Sequence, residues 1–226
     1  MTEQQAFNGA ISRFFQGDER ENALSSLRAY LYPGAFTGAW YDLIPHTDPY
    51  AITAEDIVAV SMLSVDIPPR LSAWLLGDGA PLVRSLLEEI PVDERIGNSD
   101  SLLLENGPAW KLWNHLRDFS DVGRTKTSKL MARKRPRLIP IYDSVVAKAL
   151  GIERSKNTWT LWNEFMKGPG ISDFRKDAHN AGAAHLSDLR IIDIVIWMRC
   201  HGATFISKAA VHEPHSMIPV CYSDPS

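Results

Sequence analysis

The sequence predicts an all-α protein, with a minor strand or two at most. Apolar residues recur at helical spacing along most of the chain, as at Leu24, Leu27 and Leu31. No stretch alternates apolar and polar residues for long enough to require a sheet. Hydrophobic residues are 45% and charged residues 23% of 226, which excludes a mostly disordered chain. We therefore expect a single helical domain over residues 1–226, built as a two-lobed bundle with a groove between the lobes.

Ten segments have the periodicity or the terminal residues of helices. Acids follow Thr53 as in the first turn of a helix, and Gly151 follows the last turn of another. The aromatic segment over residues 32–50 is rich in proline and glycine, so it is predicted to be a loop with at most a short strand. The tail over residues 211–226 has three prolines and is also predicted to be a loop. The predicted helices cover residues 5–16, 19–31, 53–64, 71–76, 80–90, 108–119, 125–133, 143–150, 159–166 and 186–201.

The chain shows no membrane or export signal. Its longest apolar run, residues 191–198, is broken by Asp193 and is far shorter than the ~20 residues that a bilayer span needs. Residues 1–18 are polar and contain acids, unlike a signal peptide. We therefore expect a cytoplasmic protein with no membrane partner.

No cofactor or metal is predicted. The two cysteines, Cys200 and Cys221, are too few for a disulfide framework or an iron–sulfur cluster and are expected to be reduced. His212 and His215 flank Glu213 in the tail but lack the helical spacing of a zinc motif.

A basic block interrupts an otherwise acidic chain. The net charge is −3, yet residues 124–137 contain seven basic residues and no acid. Such a block predicts one face that binds a polyanion, whereas the alternative is a solvated helix face. Its members are Arg124, Lys126, Lys129, Arg133, Lys134, Arg135 and Arg137.

The start of this block has the pattern of a phosphate-binding hairpin. One predicted helix ends near Ser120, Gly123 permits a tight turn with positive φ, and a second helix begins at once near Thr125. The backbone N–H groups at a helix N-terminus bind a phosphate oxygen without reading a base. We therefore expect this hairpin to bind the phosphate groups of a nucleic-acid backbone.

A carboxylate follows the hairpin. Pro136 and Pro140 favour an extended passage, after which Asp143 begins a new helix. An aspartate at this position is either a functional anion or simply an N-cap, which stabilises a helix by ~1 kcal/mol.

Residues 121–152 resemble the helix-hairpin-helix DNA glycosylases, the superfamily of endonuclease III-like and adenine-mismatch enzymes. Val122 and Gly123 match the second half of its L-P-G-V-G-x-x-T-A hairpin, and Asp143 follows Gly123 by 20 residues, as in that family. The resemblance implies a catalytic role for Asp143. It implies phosphate binding by Gly123, Arg124 and Thr125, which the other basic residues of the block would extend to a longer DNA contact.

Two residues differ from the family's hairpin pattern and limit the activity that the resemblance implies. Asp121 replaces the first hairpin glycine, where a carboxylate would repel phosphate. Thr125 occupies the position of the Schiff-base lysine of bifunctional members, so the resemblance implies a monofunctional enzyme. With two cysteines, this enzyme would lack the family's iron–sulfur cluster. Such an enzyme would turn out a modified or damaged base and hydrolyse its N-glycosidic bond, leaving an abasic site. Its substrate would be host DNA in repair or base-modified phage DNA in defence.

The aromatic segment is the candidate base pocket. Aromatic faces stack on bases, and Asp42 could read an exocyclic donor. The alternative is that these rings fill the core. The candidate pocket residues are Tyr32, Phe36, Trp40, Tyr41 and Asp42.

Two further functions stay open at this point. A non-catalytic helix-hairpin-helix module would bind DNA without excision, as Asp121 would favour, and a protein-interaction scaffold would use the basic block to bind an acidic partner. In each case we expect a monomer. Residues 53–68 and 132–146 are also similar to a family of uncharacterised bacterial proteins.

Overall fold

The structure is a computed structural model that describes residues 1–98 and 100–201, Leu102 by its backbone alone. Within these ranges the chain is all-α and forms no strand. The predicted tail loop over residues 211–226, with His212, His215 and Cys221, lies outside the described residues. Twelve α-helices are formed in the described ranges: α1 Glu3–Ser12, α2 Glu19–Leu31, α3 Gly38–Leu43, α4 Ala54–Ser61, α5 Pro69–Leu76, α6 Ala80–Glu88, α7 Pro108–Arg117, α8 Arg124–Lys134, α9 Ser144–Leu150, α10 Thr158–Lys167, α11 Ser172–Ala178 and α12 Asp188–His201.

All ten predicted helices are present, and two helices were missed. The aromatic segment contains α3 instead of a continuous loop or a strand. Its six residues are too few for a periodic signal, and tertiary contact holds them, because Tyr41 is buried and donates its hydroxyl to the Lys129 carbonyl at 2.9 Å. Helix α11 is mostly polar, and Phe174 and Ala178 are its buried residues.

Local capping explains where the helices near the site begin and end. Thr53 and Asp56 form a reciprocal capping box at the start of α4. The Asp143 side chain accepts a hydrogen bond from the Val145 N–H and caps α9, as its sequence position predicts. Gly151 ends α9 in the left-handed conformation, with φ 70°.

Helices α8 and α12 organise the interior. Helix α8 packs against α4 and α7, while α12 packs against α2 and α9. Helix α12 is apolar around most of its circumference and is buried from Leu189 to Val195, as expected of such a helix. Helix α8 is polar yet is buried from Thr127 to Lys134. A polar helix can be buried only if its side chains find partners, and those partners define the candidate site.

No helix in the described ranges combines the length and the apolar character needed to cross a bilayer.

The division into two lobes stays a prediction.

Candidate functional site

The turn between α7 and α8 is tight, but its left-handed residue is not the expected glycine. Gly123 has φ −89° and is the N-cap of α8, whereas Asp121 has φ 63°. Aspartate tolerates this region better than most residues, so Asp121 can adopt the left-handed conformation in this turn. The Val122 side chain is buried beneath the turn. No side chain caps the first turn of α8.

Asp143 lies beside this hairpin. Its Oδ1 atom accepts the Val145 N–H at 2.9 Å, and its Oδ2 atom is 3.5 Å from the Lys129 ammonium. Lys129 is one turn after Thr125 on α8, so helix spacing places both residues on the side of the helix that faces Asp143. The Lys129 ammonium also donates to the Leu63 carbonyl at 3.0 Å. One oxygen of the carboxylate is thus engaged by backbone while the other faces an ammonium.

These groups line a cavity of about 570 Å³, which we call the large cavity. The volume lies within the roughly 300–1,000 Å³ range of ligand pockets. One side is aromatic: Phe36 stacks on Tyr30 with ring centroids 5.5 Å apart and meets Trp197 edge-on at 6.0 Å. The polar groups on its wall include Tyr30, Ser64, Thr125, Lys129, Asp143, Arg190 and Asp193.

A second ion pair closes the polar side of the cavity. Arg190 donates to Asp193 at 2.5 Å and to Asp42 at 3.0 Å, and its third nitrogen donates to the Tyr30 hydroxyl at 2.8 Å. Burial raises the pKa of Asp193 to about 6, even though the Arg190 charge opposes that shift. We call Lys129, Asp143, Arg190 and Asp193 the cavity cluster.

Lys129 acts electrostatically on both acids of the cavity cluster. Burial lowers the pKa of its ammonium, and the charges of Asp143 and Asp193 oppose that shift. An ammonium in this position reduces the repulsion between two carboxylates that share one cavity.

The structure corrects the predicted DNA-binding surface for four residues of the basic block. Lys129, Arg133, Lys134 and Arg135 are each 4% exposed or less and are bound to internal partners, so their side chains do not reach a DNA backbone. Arg133 and Lys134 share the Asp56 carboxylate, and we call these three residues the sealed cluster.

Arg135 performs a different internal role. Its guanidinium donates to the carbonyls of Leu87 at 2.6 Å and Ile90 at 2.8 Å, which lie in the last turn of α6 and just after it. A cation in that position also interacts favourably with the helix dipole.

The remaining predicted phosphate-binding residues are more accessible. Gly123 and Arg137 are exposed, whereas Arg124, Thr125 and Lys126 are half-buried. The Arg124 guanidinium is already bound to the Ser155 carbonyl and to the Thr158 hydroxyl, the latter at 2.6 Å.

Of the five predicted pocket residues, Phe36 alone lines the large cavity, whereas Tyr41 and Asp42 line a separate pocket of about 320 Å³. Phe36 lines the large cavity, but Tyr32 and Trp40 are 71% and 55% exposed and are not part of its wall. Tyr41 is buried under Lys129, and Asp42 is occupied by Arg190. The aromatic wall instead combines Phe36 with Tyr30 of the preceding helix α2 and with Trp197 of the distant helix α12.

Sequence reasoning missed Tyr30, Trp197, Arg190 and Asp193. One signal was available: Asp193 interrupts the most apolar run of the chain, and a charge on a buried helix is either paired or functional. No sequence pattern marks Tyr30 or Trp197 as cavity residues. Within residues 1–98 and 100–201, no group of three potential ligand side chains could hold a metal ion.

Comparison with known proteins places the chain in a family without assigning a role to the site. No curated protein and no solved structure matches the chain. A family model, described as a family of unknown function, matches residues 23–200. That match includes Asp143, both ionic clusters and the whole hairpin. The chain therefore belongs to the DUF6308 family.

Proposed function

We propose that this protein is a monofunctional DNA glycosylase that excises a modified or damaged base. The observation that carries the proposal is the place of Asp143, a helix-capping carboxylate with one oxygen at the Lys129 ammonium, on the wall of an aromatic cavity beside a tight interhelical turn. The fit with the helix-hairpin-helix glycosylases rests on this local arrangement and on the spacing from Gly123 to Asp143.

In the proposed reaction, a nucleotide turns out of the DNA stack into the large cavity, at a cost of a few kcal/mol. Phe36 and Trp197 offer flat faces against which the base packs. The glycosidic bond breaks as positive charge develops on the sugar, and the Asp143 carboxylate stabilises that charge. Water then adds to the sugar carbon, its proton leaves, and the base departs with a proton, so the products are a free base and an abasic site.

The proposal includes no covalent step. Thr125 lines the cavity at the position where a lyase-type lysine would stand in the resembling family. Lys129 is the lysine on the wall of this cavity, and its ammonium donates to the Leu63 carbonyl and faces Asp143. We assign Lys129 to holding the carboxylate in place. If borohydride trapped a covalent protein–DNA adduct through Lys129, the enzyme would be bifunctional.

The size of the cavity favours an enlarged base. Its polar groups include the Thr125 and Ser64 hydroxyls, which could bind substituents on the base. Damaged host bases and modified bases of phage DNA both satisfy this description, so the assay covers both groups.

The test is an assay for abasic sites. Full-length protein and its Asp143→Asn variant are incubated with damaged oligonucleotides and with phage DNAs that carry modified bases, and then treated with hot alkali. We expect strand breaks on a subset of the DNAs and at least a hundredfold lower rate for Asp143→Asn, which corresponds to about 2.7 kcal/mol of transition-state stabilisation. Asp118→Asn, an exposed carboxylate change near the hairpin, is the matched control.

The alternative is a DNA-binding module without excision. It is favoured by Asp121, whose exposed carboxylate stands in the interhelical turn. Intact strands on every DNA, together with salt-dependent binding by both proteins, would support this alternative. Weak binding without steep salt dependence would instead support the scaffold, because phosphate contacts release counterions.

A further inference from the structure

A second pocket lies on the other side of the segment that carries Asp143. Its volume is about 280 Å³, and we call it the tryptophan pocket because four tryptophans line it. Ile141 and Asp143 belong to the walls of both the tryptophan pocket and the large cavity. Two pockets therefore meet at the proposed catalytic carboxylate, and only the larger one is used by the proposed reaction. The tryptophans are Trp110, Trp113, Trp159 and Trp162.

The aromatic wall of this pocket is built as a compact cluster. Trp110 and Trp159 have ring centroids 4.6 Å apart, and Trp113 meets Trp159 nearly edge-on at 5.3 Å. Trp110 is half-buried, and its indole N–H is bound to the Leu103 carbonyl at 2.7 Å. The orientation of its ring is thus fixed before any ligand arrives. A fixed and partly accessible indole is a stacking platform for a flat ring.

The rim of the pocket is basic. Arg117, Arg154 and Lys156 line it and are exposed. Among the ion pairs of residues 1–98 and 100–201, none involves these three side chains. Asp143 is the single acid among the lining residues of the described chain. Arg117 lies over the Trp113 ring, with its guanidinium carbon 5.9 Å from the ring centroid. Three cations without a carboxylate partner beside aromatic rings suit a ligand that combines a flat ring with a phosphate.

Arg124 fixes the loop that carries two of these cations. Its guanidinium lies 4.0 Å from the centroid of the Tyr142 ring and donates to the carbonyls of Glu153 and Ser155. These bonds connect the first turn of α8 to the residues on either side of Arg154. The predicted phosphate-binding residue Arg124 therefore positions the rim instead of offering a free charge.

We propose that the tryptophan pocket is a second nucleotide subsite, which holds a base and phosphate next to the nucleotide that enters the large cavity. The inference rests on the proposed function in one respect: DNA is the ligand whose strand passes Asp143. The shared wall at Ile141 and Asp143 explains how one strand would occupy both spaces. The subsite would hold the strand on one side of the reacting sugar and leave that sugar at the carboxylate.

The first test measures how affinity depends on salt. The double variant Arg154→Gln with Lys156→Gln is compared with Arg70→Gln with Lys176→Gln, which removes two exposed charges that line none of the cavities described above. Binding of a short oligothymidylate is titrated at several salt concentrations. We expect the rim variant to bind at least tenfold more weakly near 0.1 M salt and its log–log salt slope to shrink by about 1.4, or 0.7 per lost phosphate contact.

The second test detects stacking. Replacing Trp40, Trp74 and Trp197 by Phe removes the three tryptophans outside the tryptophan pocket, so that quenching of the remaining emission by oligothymidylate reports on that pocket. We expect saturable quenching in this background, and its loss when the two rim substitutions are added. Thymidine monophosphate serves as the free-nucleotide probe and is expected to bind much more weakly than the strand.

Three results would overturn the inference: a rim variant with the salt slope of its control, absence of quenching while DNA is bound, or thymidine monophosphate binding as tightly as the strand. These results are separable from failure of the proposed function. Base excision with an unchanged slope would refute the subsite alone. A reduced slope with no excision on any DNA would refute the glycosylase and leave the strand-binding subsite standing.

Discussion

Helix α8 contributes to two buried ionic clusters that differ in what surrounds them. In the sealed cluster, the Asp56 carboxylate is shared by Arg133 and Lys134, and all three side chains are 1% exposed. The two cations border a separate pocket of about 320 Å³, but Asp56 is not on its wall. In the cavity cluster, Asp143 is 18% exposed and borders a space of about 570 Å³. Asp56 also accepts the Thr53 N–H, so its oxygens are fully engaged, whereas one oxygen of Asp143 meets an ammonium at the cavity.

The different surroundings of Asp56 and Asp143 show that burial of a charge does not by itself indicate function. A buried carboxylate whose partners enclose it completely stabilises the fold, because removing one partner leaves the other buried charges uncompensated. A buried carboxylate that borders open space can act on a ligand. The comparison can be tested by exchanging a carboxylate for an amide in each environment.

The largest effect is expected for Asp56→Asn. The amide leaves Arg133 and Lys134 buried without a negative charge, so we expect the free energy of unfolding to fall by about 3–5 kcal/mol. Urea denaturation at neutral pH measures the change. Asp177→Asn, which affects a half-exposed pair with Arg20, is the control and should cost at most about 1 kcal/mol. Equal losses in the two variants would contradict the distinction.

An intermediate effect is expected at Asp193, and it depends on pH. Its pKa is about 6 in the folded protein and 3.8 as an ordinary aspartate, so the folded state binds the proton more tightly. The stabilisation that this proton provides is therefore complete below pH ~4 and is lost as the pH rises to about 6.

Urea denaturation between pH 4 and 7 compares the protein with Asp193→Asn. Relative to the variant, we expect the wild type to lose on the order of 2 kcal/mol across this interval, since one pKa unit corresponds to about 1.4 kcal/mol. Other carboxyl groups titrate in both proteins and cancel in the difference. Parallel stability curves would show that Asp193 titrates normally.

The smallest effect on stability is expected for Asp143→Asn. Asparagine caps a helix about as well as aspartate, and the lost attraction to Lys129 is offset by a lower cost of burying charge. We expect the free energy of unfolding to change by less than about 1 kcal/mol, while the rate of the proposed base excision falls at least a hundredfold. A loss as large as that of Asp56→Asn would make Asp143 a second structural carboxylate.

The helical class and the capping position of Asp143 follow from the sequence alone. Helical periodicity and terminal residues are local properties, and they located ten of the twelve described helices. The start of α9 at Asp143 follows from the extended passage before it and from the capping preference of aspartate. Asp193 was visible as a break in an apolar run, although its partners were not.

Which side chains line the same cavity depends on the tertiary packing. The seven basic residues form one run in the sequence. In the structure α8 packs against other helices, so four of the seven are buried and bind carboxylates and carbonyls of residues distant in the sequence. The cavity likewise joins Phe36, Asp143 and Trp197 from three separate segments. Side-chain burial depends on long-range packing, and hydrogen bonds to distant carbonyls leave no periodic trace in a single sequence.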